Sequence, residues 1–532
     1  MGFSDAMLER PIVGIATAGG GFNNCHRTTP ELVAAVSRGV LTAGGLPLDF
    51  PTISLGEPFL TPTSLVFRNL MAMDVEEMIR AQPMDAVVLI GGCDKTLPAQ
   101  LMGAISANKP AIALPVGPMM TGSFEGTRLG ACTDCRSWWA RYRAGELDEA
   151  RIRELESNLA TTAGTCAVMG TASTMACVTE ALGMSLPGAA TPPAVHAERL
   201  RIAEATGARA VALAREDITP DKIVTQAGVE NALRVLFALG GSTNGVIHLT
   251  AIAGRRGIPL TLQRFNELSA QTPVLVNLKP VGEHYMEHFH AAGGVGALLR
   301  ELAPLLESDT VSVAGETLAE RLARVPAYVD REVIRAFDEP IVACDALVAL
   351  FGNLAPNGAI LKAAAADPRL MEHEGRAVVF HDLADLAARI DAPDLDVEPD
   401  DVLVLQNAGP IGAGMPEAGY LPIPKKLLAR GVRDMLRISD ARMSGTAYGA
   451  VVLHISPESA LGGPLAAVRN GDRIRVSRRE KRLEVALTDA EIAARLAQFV
   501  RPPVPRRGYA KLYAEHILGP EHGCDFDFLV GG

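Results

Sequence analysis

Apolar and polar positions along this chain follow one rhythm for about two thirds of its length and another thereafter. Ile12–Thr17 is a short apolar run that ends at a Gly19–Gly21 turn and reads as a strand. Thr29-Pro30-Glu31 then supplies an N-cap, a first-turn proline and an acidic first-turn residue. With Leu32, Val33, Val36 and Val40 as its apolar stripe, this predicts a helix that stops at Gly44-Gly45. Ala86-Val87-Val88-Leu89-Ile90 is apolar without alternation, as expected for a strand buried on both faces, and a helical pattern resumes from about Leu97. Strands alternating with helices predict a parallel sheet covered on both sides. The final third reads differently. Asp401–Leu405, Met435–Ile438, Ala450–Ile455, Arg473–Ser477 and Leu483–Leu487 look like strands, the last two forming a hairpin across Arg478–Lys481. The expected fold class is α/β: an N-terminal domain, residues 1–345, with a parallel sheet flanked by helices, and a C-terminal β-rich, barrel-like domain, residues 346–532.

Composition narrows the partners. Of 532 residues, 48% are hydrophobic and 21% charged, enough apolar material for a large core, which excludes wholesale disorder. Fifty Lys and Arg against 61 Asp and Glu give a net charge of −11, which argues against nucleic acid and against an anionic membrane surface. No apolar stretch is long enough to span a bilayer, and the N-terminus lacks a signal-peptide run. The expectation is a cytoplasmic protein. Its eight cysteines (Cys25, Cys93, Cys132, Cys135, Cys166, Cys177, Cys344 and Cys524) are then thiols, metal ligands or core residues rather than disulfides.

Candidate chemistry sits at strand ends, where open parallel sheets place their ligands. Cys93-Asp94-Lys95 directly follows the Ala86–Ile90 run and sets a soft thiol beside a hard carboxylate. Gly164-Thr165-Cys166 precedes a run of small residues, Met169–Met175, that opens a helix. Asn407–Pro410 and Ser439–Thr446 are further strand-to-loop transitions. Two other patterns are set aside. Cys132 and Cys135 have redox or zinc spacing but no second pair beside them. His284, His288 and His290 read as a solvated helix face.

Together these pieces resemble the dihydroxy-acid and sugar-acid dehydratase family along nearly the whole chain. The resemblance is carried by Ser54-Leu55-Gly56-Glu57, Gly91–Thr96, Thr165–Thr174, Leu186–Ala189, Gly240–Asn244, Gly352–Pro356, Asn407–Pro410, Ser439–Gly449 and Gly523–Leu529. Glu57, where branched-chain members carry Asp, and Ala441-Arg442-Met443-Ser444 in place of Gly-Arg-Phe-Ser point to the sugar-acid (aldonate) branch.

The resemblance implies a hydro-lyase that converts a polyhydroxy carboxylate to a 2-keto-3-deoxy acid. It implies an iron–sulfur cluster on Cys25, Cys93 and Cys166, of the [2Fe–2S] type found in sugar-acid members. Three thiolates leave one iron open as a Lewis acid. It further implies Mg²⁺ held by Glu57, Asp94, Lys95 and Glu417, with Lys95 as an N6-carboxylysine, and Ser444 as the base. An ordinary Ser hydroxyl is a poor base and needs a nearby cation to favour its alkoxide. A homodimer or homotetramer is implied too, and the aromatic tail at Gly523–Leu529 fits a buried interface or packing within its own chain. Departures cluster before Cys25 (Ala18–Asn24), at His26, where Asn is common, and at Ile411, where Lys is usual. Two rival readings stay open: a branched-chain dihydroxy-acid dehydratase, and a non-catalytic iron–sulfur or redox protein.

Overall fold

The computed structural model of the chain describes residues 2–417 and 421–531. The first strand is β1 (Ile12–Thr17), followed by α1 (Thr29–Thr42), β2 (Leu46–Pro51), α2 (Ser64–Ala81), β3 (Ala86–Gly91), α3 (Thr96–Ala107) and β4 (Ala111–Pro115). The four strands form a parallel sheet in the order β2-β1-β3-β4. Every residue of β3 is buried, because helices cover both of its faces. The helix predicted from Thr29 starts there, but Thr28 occupies the N-cap and its side chain makes no capping bond.

Helices α4 (Thr133–Arg143), α5 (Thr171–Ala181), α6 (Ala197–Glu216), α7 (Gln226–Ala238) and α8 (Thr243–Gly254) complete the covering layers that bear on the site. Small residues set how closely they pack. A Cβ on Gly39 of α1 would fall 1.9 Å from Glu204 O of α6, and one on Gly207 of α6 would fall 2.1 Å from Val36 O. Gly103 of α3 approaches Ala72 of α2 in the same way. Any side chain at these positions would push the helices apart.

The C-terminal region is a closed eight-stranded barrel. Its strands are β5 (Val348–Gly352), β6 (Ala355–Leu361), β7 (Glu372–Phe380), β8 (Val402–Leu405), β9 (Arg437–Ser439), β10 (Val451–Ser456), β11 (Arg473–Ser477) and β12 (Arg482–Val485). They close in the order β8-β9-β10-β6-β5-β12-β11-β7, with parallel and antiparallel pairs mixed. Closure leaves no free sheet edge. Leu350, Leu354, Ile438, Val452, Ile474 and Leu483 fill the interior. The expected hairpin is β11–β12, in antiparallel register from Ile474↔Val485 to Ser477↔Arg482. Two expected strands are displaced. Met435 and Leu436 are buried but lie before β9, and Leu487 falls beyond β12, where Asn353 Nδ2 donates to its carbonyl at 3.3 Å.

The helix Leu262–Ser269 and the barrel share bonds and core. Asn266 exchanges two hydrogen bonds with Ala349 of β5, at 2.8 and 2.9 Å, and Ser269 Oγ donates to Leu347 O at 2.7 Å. The C-terminal tail returns to the helical layer, where buried Arg68 donates to Gly523 O and Cys524 O, and Arg255 pairs with Asp525 at 2.6 Å. Cys524 and Phe526 are buried there within their own chain. Phe528, further along the same tail, stays exposed. Among the described residues no helix is long and apolar enough to cross a membrane.

Candidate active site

The sheet's strand ends and the barrel's loops bring four of the predicted residues together. Glu57 lies in the loop after β2, Asp94 and Lys95 in the turn after β3, and Glu417 in the segment after β8. Lys95 is fully buried. Its Nζ stands 2.8 Å from Glu57 Oε2, 3.6 Å from Asp94 Oδ2 and 3.9 Å from Glu417 Oε1. Arg442, equally buried, reaches in from the loop after β9 and bridges Glu57 Oε1 and Glu417 Oε1 at 2.6 Å each. It also donates to Thr63 Oγ1 at 2.6 Å, and the Ser64 hydroxyl donates to Glu57.

These contacts decide the protonation of the carboxylates. Burial works to raise Glu57, but Arg442 and Lys95 outweigh it and hold the group well below the usual carboxylate range. Burial wins at Asp94, which is pushed up to about 7 against the pull of Lys95. Arg442 is driven higher by Glu57 and Glu417 despite its burial. Sequence reasoning missed Arg442. Its only signal was its place inside the Ala441–Ser444 motif, and nothing local says that it meets a glutamate 385 residues away.

The cysteines arrive from the turn that carries Asp94 and Lys95 and from two further segments. Cys25 sits in a 3₁₀ turn, Asn24–His26, beyond β1, Cys93 follows β3 with φ of 65°, and Cys166 precedes α5. Side-chain bonds hold the first two turns together. His26, a departure from the family pattern, bonds Ala18 O through Nδ1 at 2.7 Å and accepts the Gly92 N–H at Nε2 at 3.0 Å. That pins the Cys25 turn to the Gly91-Gly92-Cys93 turn. Burial keeps His26 neutral by lowering its pKa. Asn23 accepts the Cys25 N–H at 3.0 Å and donates to Leu55 O at 2.8 Å, which ties the same turn to the Glu57 loop. A hydrogen bond to Cys93, then burial, raises the Cys25 thiol well above its usual range; Cys132 and burial do the same to Cys166. Cys132, set aside on sequence, stands 3.5 Å from Cys166, sulfur to sulfur, with φ of 81°. Its neighbour Cys135 faces a cavity of about 470 Å³ that Cys132, Arg136 and Trp139 also line. A larger surface cavity, of about 620 Å³, lies elsewhere, away from these groups.

Ser444 is buried on the loop that carries Arg442. Its Oγ lies 2.8 Å from Thr446 Oγ1 and 3.4 Å from the Thr446 N–H that points to it. This turn is wedged against two helix starts. A Cβ on Gly445 would lie 2.5 Å from Ser242 Cβ and 2.9 Å from Thr171 N, so only glycine fits. Ser242 caps α8 and Thr171 opens α5, and their hydroxyls lie 3.0 Å apart. The Thr165–Thr174 and Gly240–Asn244 motifs thus meet at the Ser444 turn. The histidine trio has other duties. His288 accepts the Tyr285 N–H at 3.1 Å as a helix cap, and His290 faces Glu198 at 3.3 Å.

Hard oxygen donors gathered round one buried cation match what Mg²⁺ requires. With Lys95 as an ammonium, three carboxylates face two cations. Carboxylation of Lys95 would reverse its charge and leave four anionic groups against Arg442, a net charge of about −3 that a divalent cation offsets in large part. Three thiols from separate segments, two of them hydrogen-bonded to each other, match an open iron–sulfur site. As the site stands, no group of three or more His, Cys, Asp or Glu among the described residues is spaced to hold one metal ion.

Comparison with known proteins shows the family. The N-terminal sequence model of the dihydroxy-acid/6-phosphogluconate dehydratases matches residues 10–321, and the C-terminal model matches residues 332–524. The chain is 47% identical to an L-arabonate dehydratase of Azospirillum brasilense over 533 residues, covering 98% of this chain and 91% of that protein. It is 44% identical to a 6-deoxy-6-sulfo-D-gluconate dehydratase of Pseudomonas putida, covering 99% and 92%. A dihydroxy-acid dehydratase of Caldanaerobacter subterraneus subsp. tengcongensis is 37% identical, covering 99% and 95%.

Proposed function

The chain belongs to the dihydroxy-acid/6-phosphogluconate dehydratase family, and from that membership we propose that it dehydrates a sugar acid, an aldonate, to its 2-keto-3-deoxy acid. The observation that carries the reading is the convergence of Glu57, Asp94 and Glu417 within 4 Å of Lys95 Nζ, beside the thiols and the Ser444 turn. Higher identity to the two sugar-acid dehydratases, 47% and 44% against 37% for the dihydroxy-acid enzyme, supports the aldonate branch over the branched-chain one. Full retention of the carboxylate set counts against a purely redox protein, which has no use for it.

When bound, Mg²⁺ on Glu57, Asp94, Glu417 and a carboxylated Lys95, and a [2Fe–2S] cluster on Cys25, Cys93 and Cys166, supply Lewis acidity that acidifies C2–H and loosens the C3 hydroxyl. The protein's own groups do the rest. Arg442 fixes Glu57 and Glu417 in one bidentate bridge, so the carboxylates cannot swing away from Lys95. Ser444 Oγ, steadied by Thr446, takes the proton from C2. The C2–H electron pair becomes the C2=C3 bond as C3–O breaks, the departing hydroxide takes up the proton that Ser444 gave to solvent on becoming an alkoxide and leaves as water, and the enol tautomerises to the 2-keto acid. Burial of Ser444 and Lys95 keeps bulk water from competing for that proton.

A panel of pentonates and hexonates, with dihydroxyisovalerate beside them, assayed for 2-keto acids tests the reading. Preferred turnover of dihydroxyisovalerate would move the enzyme to the branched-chain branch. Ser444→Ala is expected to keep the cluster's visible absorbance and lose keto-acid formation; wild-type turnover in that variant removes Ser444 as base. A homodimer or homotetramer is proposed on family membership alone, and a light-scattering mass of one chain in fully active enzyme would exclude it.

A further inference from the structure

Lys362 directly follows β6 and is 1% exposed. Among the described residues no carboxylate pairs with it, and its one hydrogen bond there runs from Nζ to Gly445 O at 3.3 Å. An ammonium has three N–H donors, so two of them remain unused. Taking an unpaired charge out of water costs several kcal/mol in general. A protein keeps such a group where its position does something that an apolar residue could not do. The carbonyl that Lys362 holds belongs to the residue after Ser444.

The other sides of that turn are positive as well. Gly445 is in van der Waals contact with the first residues of α5 and α8, helices of 11 and 12 residues. Their unsatisfied N–H groups and aligned peptide dipoles favour negative charge nearby. Thr133 Oγ1 donates to Thr446 O at 2.9 Å and closes the remaining side of the turn. No histidine or carboxylate is bonded to Ser444 Oγ among the described residues; its partners are Thr446 Oγ1 and the Thr446 N–H.

We propose that Lys362 is a positioning residue for the base: it holds the Ser444–Thr446 turn through the Gly445 carbonyl and, with the starts of α5 and α8, keeps that turn positive while Ser444 Oγ is an alkoxide. The inference rests on the dehydratase reading above and names how that site makes a serine basic. Burial brings Lys362 down to about 7, and negative charge forming beside it favours its protonated form, the proton coming from solvent, which suits the role. The step balances without a co-reactant. The Ser444 proton leaves for solvent, the alkoxide then accepts the C2 proton, and Lys362 exchanges nothing with substrate.

The test is steady-state kinetics of cluster-loaded wild type, Lys362→Met and Lys362→Gln on the acid that wild type converts fastest, with C2–H and C2–D substrate. Expected for Lys362→Met are a kcat lower by about a hundredfold, KM within about twofold, unchanged iron content and visible spectrum, and a larger C2 isotope effect on kcat. Lys362→Gln, which keeps a donor for Gly445 O but no charge, should fall between. A kcat within about threefold of wild type in Lys362→Met overturns the proposal. So does a loss matched by a rise in KM with the isotope effect unchanged, because that is the mark of a merely structural role. If Lys362→Met does not fold, equal kcat in Lys362→Gln and wild type overturns it alone. Preference of wild type for dihydroxyisovalerate would end the aldonate reading and leave Lys362 measurable on that acid. No turnover of any dihydroxy acid would end both.

Discussion

Replacing Lys362 with Met should make the protein more stable, and by an amount that depends on pH. The lysine is buried, and its pKa falls from 10.5 in the unfolded chain to about 7 in the fold, through desolvation alone. At about 1.4 kcal/mol per pKa unit, that drop corresponds to roughly 5 kcal/mol of destabilisation when the group must be charged. The sign follows from proton counts. Between pH 7 and 10.5 the unfolded chain binds the proton and the folded chain does not, so wild-type stability rises with pH across that window. Below about pH 7 both states are protonated and the full penalty stands. Met has a similar length and no charge to desolvate, but it leaves the Gly445 carbonyl without its donor, at a cost of about 1–3 kcal/mol. The net gain at pH 6 is therefore about 2–4 kcal/mol, a rise in melting temperature of about 5 °C. At pH 10 the advantage should vanish or reverse. Differential scanning fluorimetry of wild type and Lys362→Met in parallel, at half-unit steps from pH 6 to 10, reads the difference directly. A difference that is flat with pH, or a wild type more stable at pH 6, would refute the reasoning, because a charged lysine cannot escape its own desolvation.

Other consequences follow from the same contacts. Arg442→Lys keeps a charge but loses the two-pronged bridge between Glu57 and Glu417; kcat/KM should fall by about a hundredfold or more, about 3 kcal/mol of transition-state stabilisation, and activity within tenfold of wild type would remove Arg442 from the site. Cys25→Ser, Cys93→Ser and Cys166→Ser should each lose most bound iron, whereas Cys132→Ser, Cys135→Ser and Cys344→Ser should keep it. An anaerobic preparation with about four irons and four sulfides per chain would replace the proposed [2Fe–2S] cluster by a [4Fe–4S] one. His26→Ala frees the Gly92 N–H and the Ala18 carbonyl and unties the Cys25 turn from the Cys93 turn. Iron analysis should show reduced occupancy with Cys25 itself intact, and full occupancy would mean that the turns hold without the clamp.

What the sequence determined by itself was whatever depends on neighbours along the chain. The unbroken apolar run at Ala86–Ile90 is a doubly covered strand, and Thr29-Pro30-Glu31 opens a helix, because burial period and first-turn chemistry are local properties. The Arg473–Ser477 strand and its hairpin partner followed for the same reason. Ordered motifs placed Glu57, Asp94, Lys95 and Glu417 on one candidate site before any distance was known. The tertiary structure alone decided the charges that run the site. Arg442 meets Glu57 across 385 residues, and Cys132 meets Cys166 across a loop that gives no sign of it. Nothing in the sequence around Lys362 marks it; only the fold buries it and sets it against the Gly445 carbonyl. Strand extents slipped at Met435 and Leu487, where barrel register rather than apolarity ends the ladder. The division has one physical cause. Secondary structure answers to contacts a few residues apart, whereas the energy of a charge depends on what the whole fold places within about 4 Å of it and on how much water it excludes.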